Sequence, residues 1–215
     1  MGRTSEARQT RLYVVVQAGI APAWVETMLA AAGVAALLIT RDDSPLDAAR
    51  AKPLVDMAQA RGVAALIEGD AAVARTLRAD GVHLPWSKDI IARYGAAREI
   101  LGGRFIVGAD AGRLRDDAMT LGELGADYVG FGIPAHVEDR DTARARQLEL
   151  VAWWAEIFEP PCVAFDVETF DDAACLAAAG ADFVALKPPA TSTAAELARW
   201  TKEAAHALAA EEDVA

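Results

Sequence analysis

The stretch Gly125-Ala126-Asp127-Tyr128-Val129-Gly130-Phe131-Gly132 decides the fold. A small Gly-Ala-Asp approach enters a short apolar run that closes on a glycine pair, where a backbone can come close to a ligand. The cadence recurs as Ala79-Asp80-Gly81-Val82-His83-Leu84 and as Gly180-Ala181-Asp182-Phe183-Val184-Ala185-Leu186. Each copy follows an alanine-rich helical pattern and opens a β-type run, so one helix-to-strand joint is used three times. That is the pattern of an α/β chain built on a parallel sheet.

Working outward, further apolar runs read as strands at 11–17, 34–40, 63–68, 82–84, 105–108 (ending at Asp110), 163–167 and 183–187. Helical patterns separate them, over 22–32, 46–61, 71–79, 89–101 and 114–124, then in a helix carrying Trp153 and Trp154, then over 171–179 and 194–210. The strands are apolar throughout and rich in Val, Ile, Leu and Phe, as strands covered on both faces are. Nothing marks a topological switch or a Gly-x-Gly-x-x-Gly first turn. Eight strands alternating with eight helices therefore make a single (β/α)8 TIM barrel more natural than an open doubly wound sheet.

At 215 residues and 53% hydrophobic content the chain can bury one large core. One barrel domain is expected over 11–210, with a polar, flexible tail at 1–10 and an acidic tail at 211–215. A formal charge of -11 repels nucleic acid and anionic membranes. No apolar run approaches the roughly 20 residues that span a bilayer. Cys162 and Cys175 make neither a disulfide framework nor a metal cluster and read as buried reduced thiols. Together with an N-terminus that lacks an apolar signal core, they fit a cytoplasmic protein.

Barrels of this kind gather their chemistry at the C-terminal ends of the strands. Those ends bear Gln17, Thr40-Arg41-Asp42-Asp43, Glu68, Asp70, His83, Trp86-Ser87-Lys88, Asp110, Gly132, His136, Glu138, Asp166, Glu168 and Lys187. Carboxylates outnumber cations, which suits a divalent metal, a cationic ligand or a solvated rim. Asp70 reads as a Mg²⁺ ligand and equally as a helix cap before Ala71, and the two roles are compatible. Asp110 reads as an inward-facing acid or as a cap for the next helix.

Lys187 ends an apolar strand, where an ammonium can meet a phosphate, form a Schiff base if desolvated, or snorkel to water. His83, inside an apolar strand, reads as a core histidine with a satisfied ring nitrogen or as a catalyst. His136 lies in a loop and is free to act. Trp86 can stack on a flat heterocycle or plug the barrel mouth. The Trp153-Trp154 pair reads as packing in the outer helix ring or as a contact in a homo-oligomer.

The blocks Ala79-Asp80-Gly81-Val82-His83-Leu84, Ile106-Val107-Gly108 and Gly125 to Gly132 resemble, in order and spacing, the "ADGVHL", "IIG" and "GADYVGLG" blocks of thiamine-phosphate synthases. The resemblance runs from about Arg11 to Ala210. It implies a barrel whose small-molecule substrates are a hydroxymethylpyrimidine diphosphate, held with Mg²⁺, and a thiazole phosphate. The pyrimidine loses pyrophosphate to leave a stabilised cation, which the thiazole nitrogen attacks, while the protein clamps the leaving group and excludes water. On this chain the resemblance implies Asp70 for the metal, Arg41 and Lys187 for phosphates and Trp86 beside the pyrimidine. Glu68, His83, Gly132, His136 and Asp166 join the expected substrate site, and Asp110 joins Lys187 as a candidate catalytic group.

The chain departs from the family pattern at reactive positions. The strand-two Gln-x-Arg-x-Lys meets Leu37-Leu38-Ile39-Thr40-Arg41, and Gly69 stands where an asparagine precedes the acid. An acidic pair after "GVHL" becomes Ser87-Lys88, and a serine on strand five becomes Asp110. The Thr- and Lys-bearing loop after strand six becomes Ile133 to Arg140, and the glycine pair after strand seven becomes Phe165-Asp166-Val167-Glu168. Strand eight ends in Lys187-Pro188-Pro189. The histidine that a thiazole tautomerase carries after strand five is missing from Asp110-Ala111-Gly112-Arg113. The expectation is a synthase-type transferase. Two alternatives stand beside it: a paralogue that binds a thiamine precursor or another neutral or cationic ligand without transferase activity, and a Schiff-base aldolase using Lys187.

Overall fold

The computed structural model describes residues 9–30, 33–41, 45–134, 136–190 and 193–209; the expected tails beyond them and the rim residues Asp42 and Asp43 lie outside the described residues. Strands β1 (Arg11–Gln17), β2 (Val34–Thr40), β3 (Ala64–Glu68), β4 (Gly81–Leu84), β5 (Ile106–Asp110), β6 (Tyr128–Phe131), β7 (Cys162–Ala164) and β8 (Phe183–Leu186) pair in parallel in chain order. The sheet closes where β8 meets β1. A helix follows each strand: α1 (Pro22–Leu29), α2 (Ala48–Gln59), α3 (Ala71–Leu77), α4 (Ile90–Leu101), α5 (Arg115–Glu123), α6 (Arg140–Ile157), α7 (Phe170–Ala178) and α8 (Ala194–Ala209). The fold is the expected (β/α)8 barrel. Among the described residues no helix is long and apolar enough to cross a membrane.

Side chains alternate between two cores with the period of two that strands impose. Tyr13, Val15, Ala36, Leu38, Leu66, Tyr128, Val163, Phe165 and Ala185 fill the barrel interior. Their neighbours, such as Leu12, Val14, Leu37, Ile39, Ala65, Ile67, Val129 and Val184, pack outward under the helices. The inward parity runs on to the mouth, from Val15 to Gln17, Leu38 to Thr40, Leu66 to Glu68 and Ala185 to Lys187.

The thrice-used joint is a clasp at the opposite, N-terminal rim. Asp80 accepts the Ala65 N–H, Asp127 the Val107 N–H and Asp182 the Cys162 N–H, each at 2.8 Å. The aspartate before each of β4, β6 and β8 thus ties down a backbone donor near the start of the preceding strand, a donor that would otherwise lose its hydrogen bond on burial. Arg98 of α4 adds a 2.6 Å bond to Asp127. The motif that reveals the fold therefore acts on the fold.

The glycines of the resembling blocks make room for protein. His83, Gly108 and Tyr128 lie side by side across β4, β5 and β6. A Cβ on Gly108 would fall inside the Tyr128 ring; without it, the Tyr128 hydroxyl reaches His83 Nδ1 at 2.9 Å and the Tyr13 hydroxyl at 3.1 Å. The pair expected to admit a ligand is filled likewise. Phe165 stands 3.1 Å from where a Gly130 Cβ would be, and the Asp110 and Asp166 carboxylates crowd Gly132.

Three local expectations change. Strand β7 stops at Ala164 rather than 167, because Asp166 adopts φ 57, a left-handed conformation that ends extended backbone. Cys175 is exposed while Cys162 is buried; on α7 the inward face belongs to Ala173, Leu176 and Ala177, and a residue one step from Leu176 turns about 100° away. Asp110 caps no helix, since the residue at the N-cap of α5 is Leu114. The tryptophan pair belongs to outer packing: Trp154 is fully buried against Phe131 and Phe158, and Arg115 lies over the Trp153 ring at 4.6 Å.

Candidate functional site

The mouth of the barrel holds a cavity of about 580 Å³, within the usual range for a small-molecule site. Its wall includes Gln17, Thr40, Arg41, Glu68, His83, Pro85, Asp110, Phe165, Asp166 and Lys187, with Trp24 of α1 and Leu197 of α8 on its apolar side. Eight of the rim residues read from the sequence meet here: Gln17, Thr40, Arg41, Glu68, His83, Asp110, Asp166 and Lys187. Asp70, Trp86, Gly132 and His136 do not line it.

Asp110 is 6% exposed. Its Oδ1 accepts the Gly112 N–H at 2.6 Å and the Gly132 N–H at 3.0 Å. Its Oδ2 points past Gly132 toward Asp166, whose own Oδ2 would lie 2.9 Å from a Gly132 Cβ. Burial raises the Asp110 pKa to about 6; the Gly112 N–H opposes the rise and the Asp166 charge adds to it. Asp166 accepts the Ile133 N–H at 3.1 Å and faces the Lys187 ammonium at 3.9 Å. Glu68 is raised too, by burial first, while Arg41 and then Lys187 pull it back.

His83 forms the floor. Its ring stacks on Phe165 with centroids 4.2 Å apart, and Nδ1 belongs to the Tyr128–Tyr13 hydroxyl chain. Burial, then the charge of Arg93, pushes its pKa down to about 3, so it stays neutral at physiological pH. The core reading is therefore right for Nδ1, yet the ring also faces the cavity.

The remaining candidates stand around the rim. Trp86 packs over Gly112 and meets His136 with ring centroids 5.6 Å apart, which makes the pair a cover beside the cavity. Glu168 turns away from the mouth, held by Arg140 at 2.8 Å and Arg144 at 2.5 Å. Asp70 caps α3, accepting the Val73 N–H at 2.9 Å. Among the described residues no three His, Cys, Asp or Glu side chains converge as a metal site.

After β4, where the resemblance implies a second acid, Ser87 instead accepts from Arg93 Nη1 at 3.1 Å, and the Pro85 carbonyl accepts from the same nitrogen at 3.2 Å. Asp70, with one carboxylate oxygen given to the α3 cap, is a thin donor set for Mg²⁺, a dication that wants several oxygen ligands. Sequence reasoning passed over Arg93, Trp24 and Phe165. Inward parity from Val163 would have found Phe165, and the first turn of a helix that follows a strand end would have drawn notice to Arg93.

A sequence model of the family described as "Thiamine monophosphate synthase" matches residues 12–187. The thiamine-phosphate synthase of Hyphomonas neptunium is 37% identical over 198 residues, 86% of this chain and 88% of that protein. That of Erythrobacter litoralis is 41% identical over 143 residues, 65% of this chain and 66% of that protein. Among solved structures, a Pyrococcus furiosus thiamine phosphate pyrophosphorylase superposes with TM-score 0.72 at 22% identity, covering 94% of this chain and 96% of that one. A Mycobacterium tuberculosis tryptophan synthase chain reaches the same TM-score at 16% identity over 94% of this chain and 93% of its own. Likeness at such identities speaks for the fold alone.

Proposed function

The chain belongs to the thiamine monophosphate synthase family, and from that premise we propose that it joins a hydroxymethylpyrimidine diphosphate to a thiazole phosphate at the barrel mouth, releasing pyrophosphate. The carbon–oxygen bond at the pyrimidine methylene breaks with its electron pair leaving on pyrophosphate, and the thiazole nitrogen lone pair forms the new carbon–nitrogen bond.

The observation that carries this reading is the distribution of charge around the cavity. Arg41 and Lys187 follow β2 and β8, the two neighbours of β1, while Asp110 ends β5 across the barrel. Two phosphate-bearing substrates meet two cations: Arg41 takes the diphosphate, Lys187 the thiazole phosphate. Each cation favours the charge that grows on a departing or anchored phosphate in a water-poor cavity. Asp110 and Asp166 repel phosphate by about 4 kcal/mol per unit charge pair at 4 Å and intermediate dielectric, so they turn the amine-bearing pyrimidine edge toward themselves. Phe165 and Trp24 supply flat apolar walls that exclude water from the cation.

A second reading, a barrel that binds a thiamine precursor without turnover, is favoured by one feature: Glu68, Asp110 and Asp166 outnumber the cations of the wall. Schiff-base chemistry has less support, because the Lys187 side chain is 70% exposed and faces a carboxylate, whereas a nucleophilic lysine is desolvated. Calorimetric titration separates the first two. The synthase reading expects the pyrimidine diphosphate to bind more tightly than the unphosphorylated pyrimidine, and K187A to weaken the thiazole phosphate. Binding of the unphosphorylated pyrimidine alone would refute it.

A further inference from the structure

We infer that Tyr128, backed by Tyr13, locks His83 as the neutral tautomer protonated on Nε2, so that the floor of the cavity offers one hydrogen-bond donor to a ring nitrogen of the ligand. The inference rests on the reading that a pyrimidine occupies the mouth. His83 is 3% exposed, and its Nδ1 lies 2.9 Å from the Tyr128 hydroxyl. Nε2 has no hydrogen-bond partner among the described residues. It is not sealed in, because among those residues no fully buried side-chain nitrogen or oxygen lacks a partner. With Phe165 stacked on the ring face, Nε2 opens on the cavity whose wall His83 helps to form.

Proton accounting sets the direction of the chain. Among the described residues the Tyr13 hydroxyl meets only that of Tyr128, which in turn meets only Tyr13 and His83. The Tyr13 proton therefore goes to the Tyr128 oxygen and the Tyr128 proton to Nδ1, which leaves the ring's own proton on Nε2. The reverse order would strand the Tyr13 proton in the barrel interior, a buried donor without an acceptor. The ring carries one proton only, since burial keeps it neutral at physiological pH. Tyr13 and Tyr128 lie in the barrel interior and do not line the cavity, so they act through His83 as positioning residues. An aminopyrimidine edge presents an in-plane nitrogen lone pair next to an amino group; the wall holds the Nε2 donor for the first and the Asp110 and Asp166 carboxylates for the second.

The test is nitrogen NMR of the full chain with isotopically labelled imidazoles, which reports the nitrogen that carries the proton; His83→Phe assigns the His83 signals among the three histidines. Wild type is expected to hold the proton on Nε2 before any ligand is added. Tyr13→Phe should keep that tautomer, since the Tyr128 proton still has only Nδ1 to meet. Tyr128→Phe, which also removes one buried hydroxyl, should admit the form protonated on Nδ1. Calorimetry with hydroxymethylpyrimidine diphosphate should then show binding weakened about tenfold in His83→Phe, the scale of one hydrogen bond. In Tyr128→Phe, where only part of the population presents the donor, the loss should be about twofold to fivefold. A wild-type proton on Nδ1, or equal affinity in wild type and His83→Phe, would overturn the inference and leave the synthase reading intact. A proton on Nε2 with no binding of the diphosphate to wild type would instead overturn the synthase reading and, with it, the pyrimidine as the donor's partner.

Discussion

Replacing Asp110 by asparagine should stabilise the protein at alkaline pH and leave it unchanged at acid pH. The Asp110 carboxyl has a pKa of about 6 in the fold against an ordinary 3.8. A group whose folded pKa is raised holds its proton more tightly when folded. Its contribution is therefore favourable at low pH and is lost as pH climbs from about 4 to about 6, remaining lost above. A shift of about two units at about 1.4 kcal/mol each gives about 3 kcal/mol of stability forfeited by ionisation. In Asp110→Asn the amide Oδ1 still accepts from Gly112 and Gly132, and the Nδ2 donor faces Asp166 where two carboxylates had faced each other. Urea unfolding at pH 4 and pH 8 should show the variant level with wild type at the lower pH and about 2–3 kcal/mol more stable at the higher. Equal differences at both pH values, or a variant less stable at pH 8, would refute the claim that a buried, ionised Asp110 strains the fold.

Gly132→Ala would drive a methyl into the Asp110 carboxylate, which two backbone N–H groups hold in place. It should cost about 1–3 kcal/mol by thermal unfolding and deform the cavity wall enough to weaken ligand binding. Asp127→Ala strips the acceptor from the Val107 N–H and from Arg98 at the far rim; a loss of about 1–3 kcal/mol is expected, with ligand affinity unchanged by calorimetry. Asp166→Gly removes the φ 57 strain and the charge that helps raise Asp110. The Asp110 pKa should then fall, and the stability lost between pH 4 and 6 should shrink, as urea unfolding across that range would show.

The fold was legible because a single joint, repeated three times, encodes a tertiary device: each aspartate ties down a donor of the neighbouring strand, and only a parallel sheet places such a donor there. The site was legible where strand parity carries it, as with Glu68, Asp110 and Lys187, whose directions follow from residues two and four positions earlier. Loops carry no such rule. Trp86 and His136 found each other at the rim, and Glu168 turned to two arginines of α6 that are distant in sequence. The glycine pair at 130 and 132 announced empty space without saying what fills it, and protein rather than ligand does. Cys175 shows the cost of reading composition without helical phase.

The most direct test of the account is turnover: the purified chain, given the pyrimidine diphosphate and the thiazole phosphate, is followed for thiamine phosphate and pyrophosphate together, beside R41A and K187A. The account predicts both products in equal amounts from wild type and at least a tenfold loss in each variant, about 1.4 kcal/mol of transition-state stabilisation. Intact substrates after incubation with folded wild-type protein, with and without Mg²⁺, would contradict it.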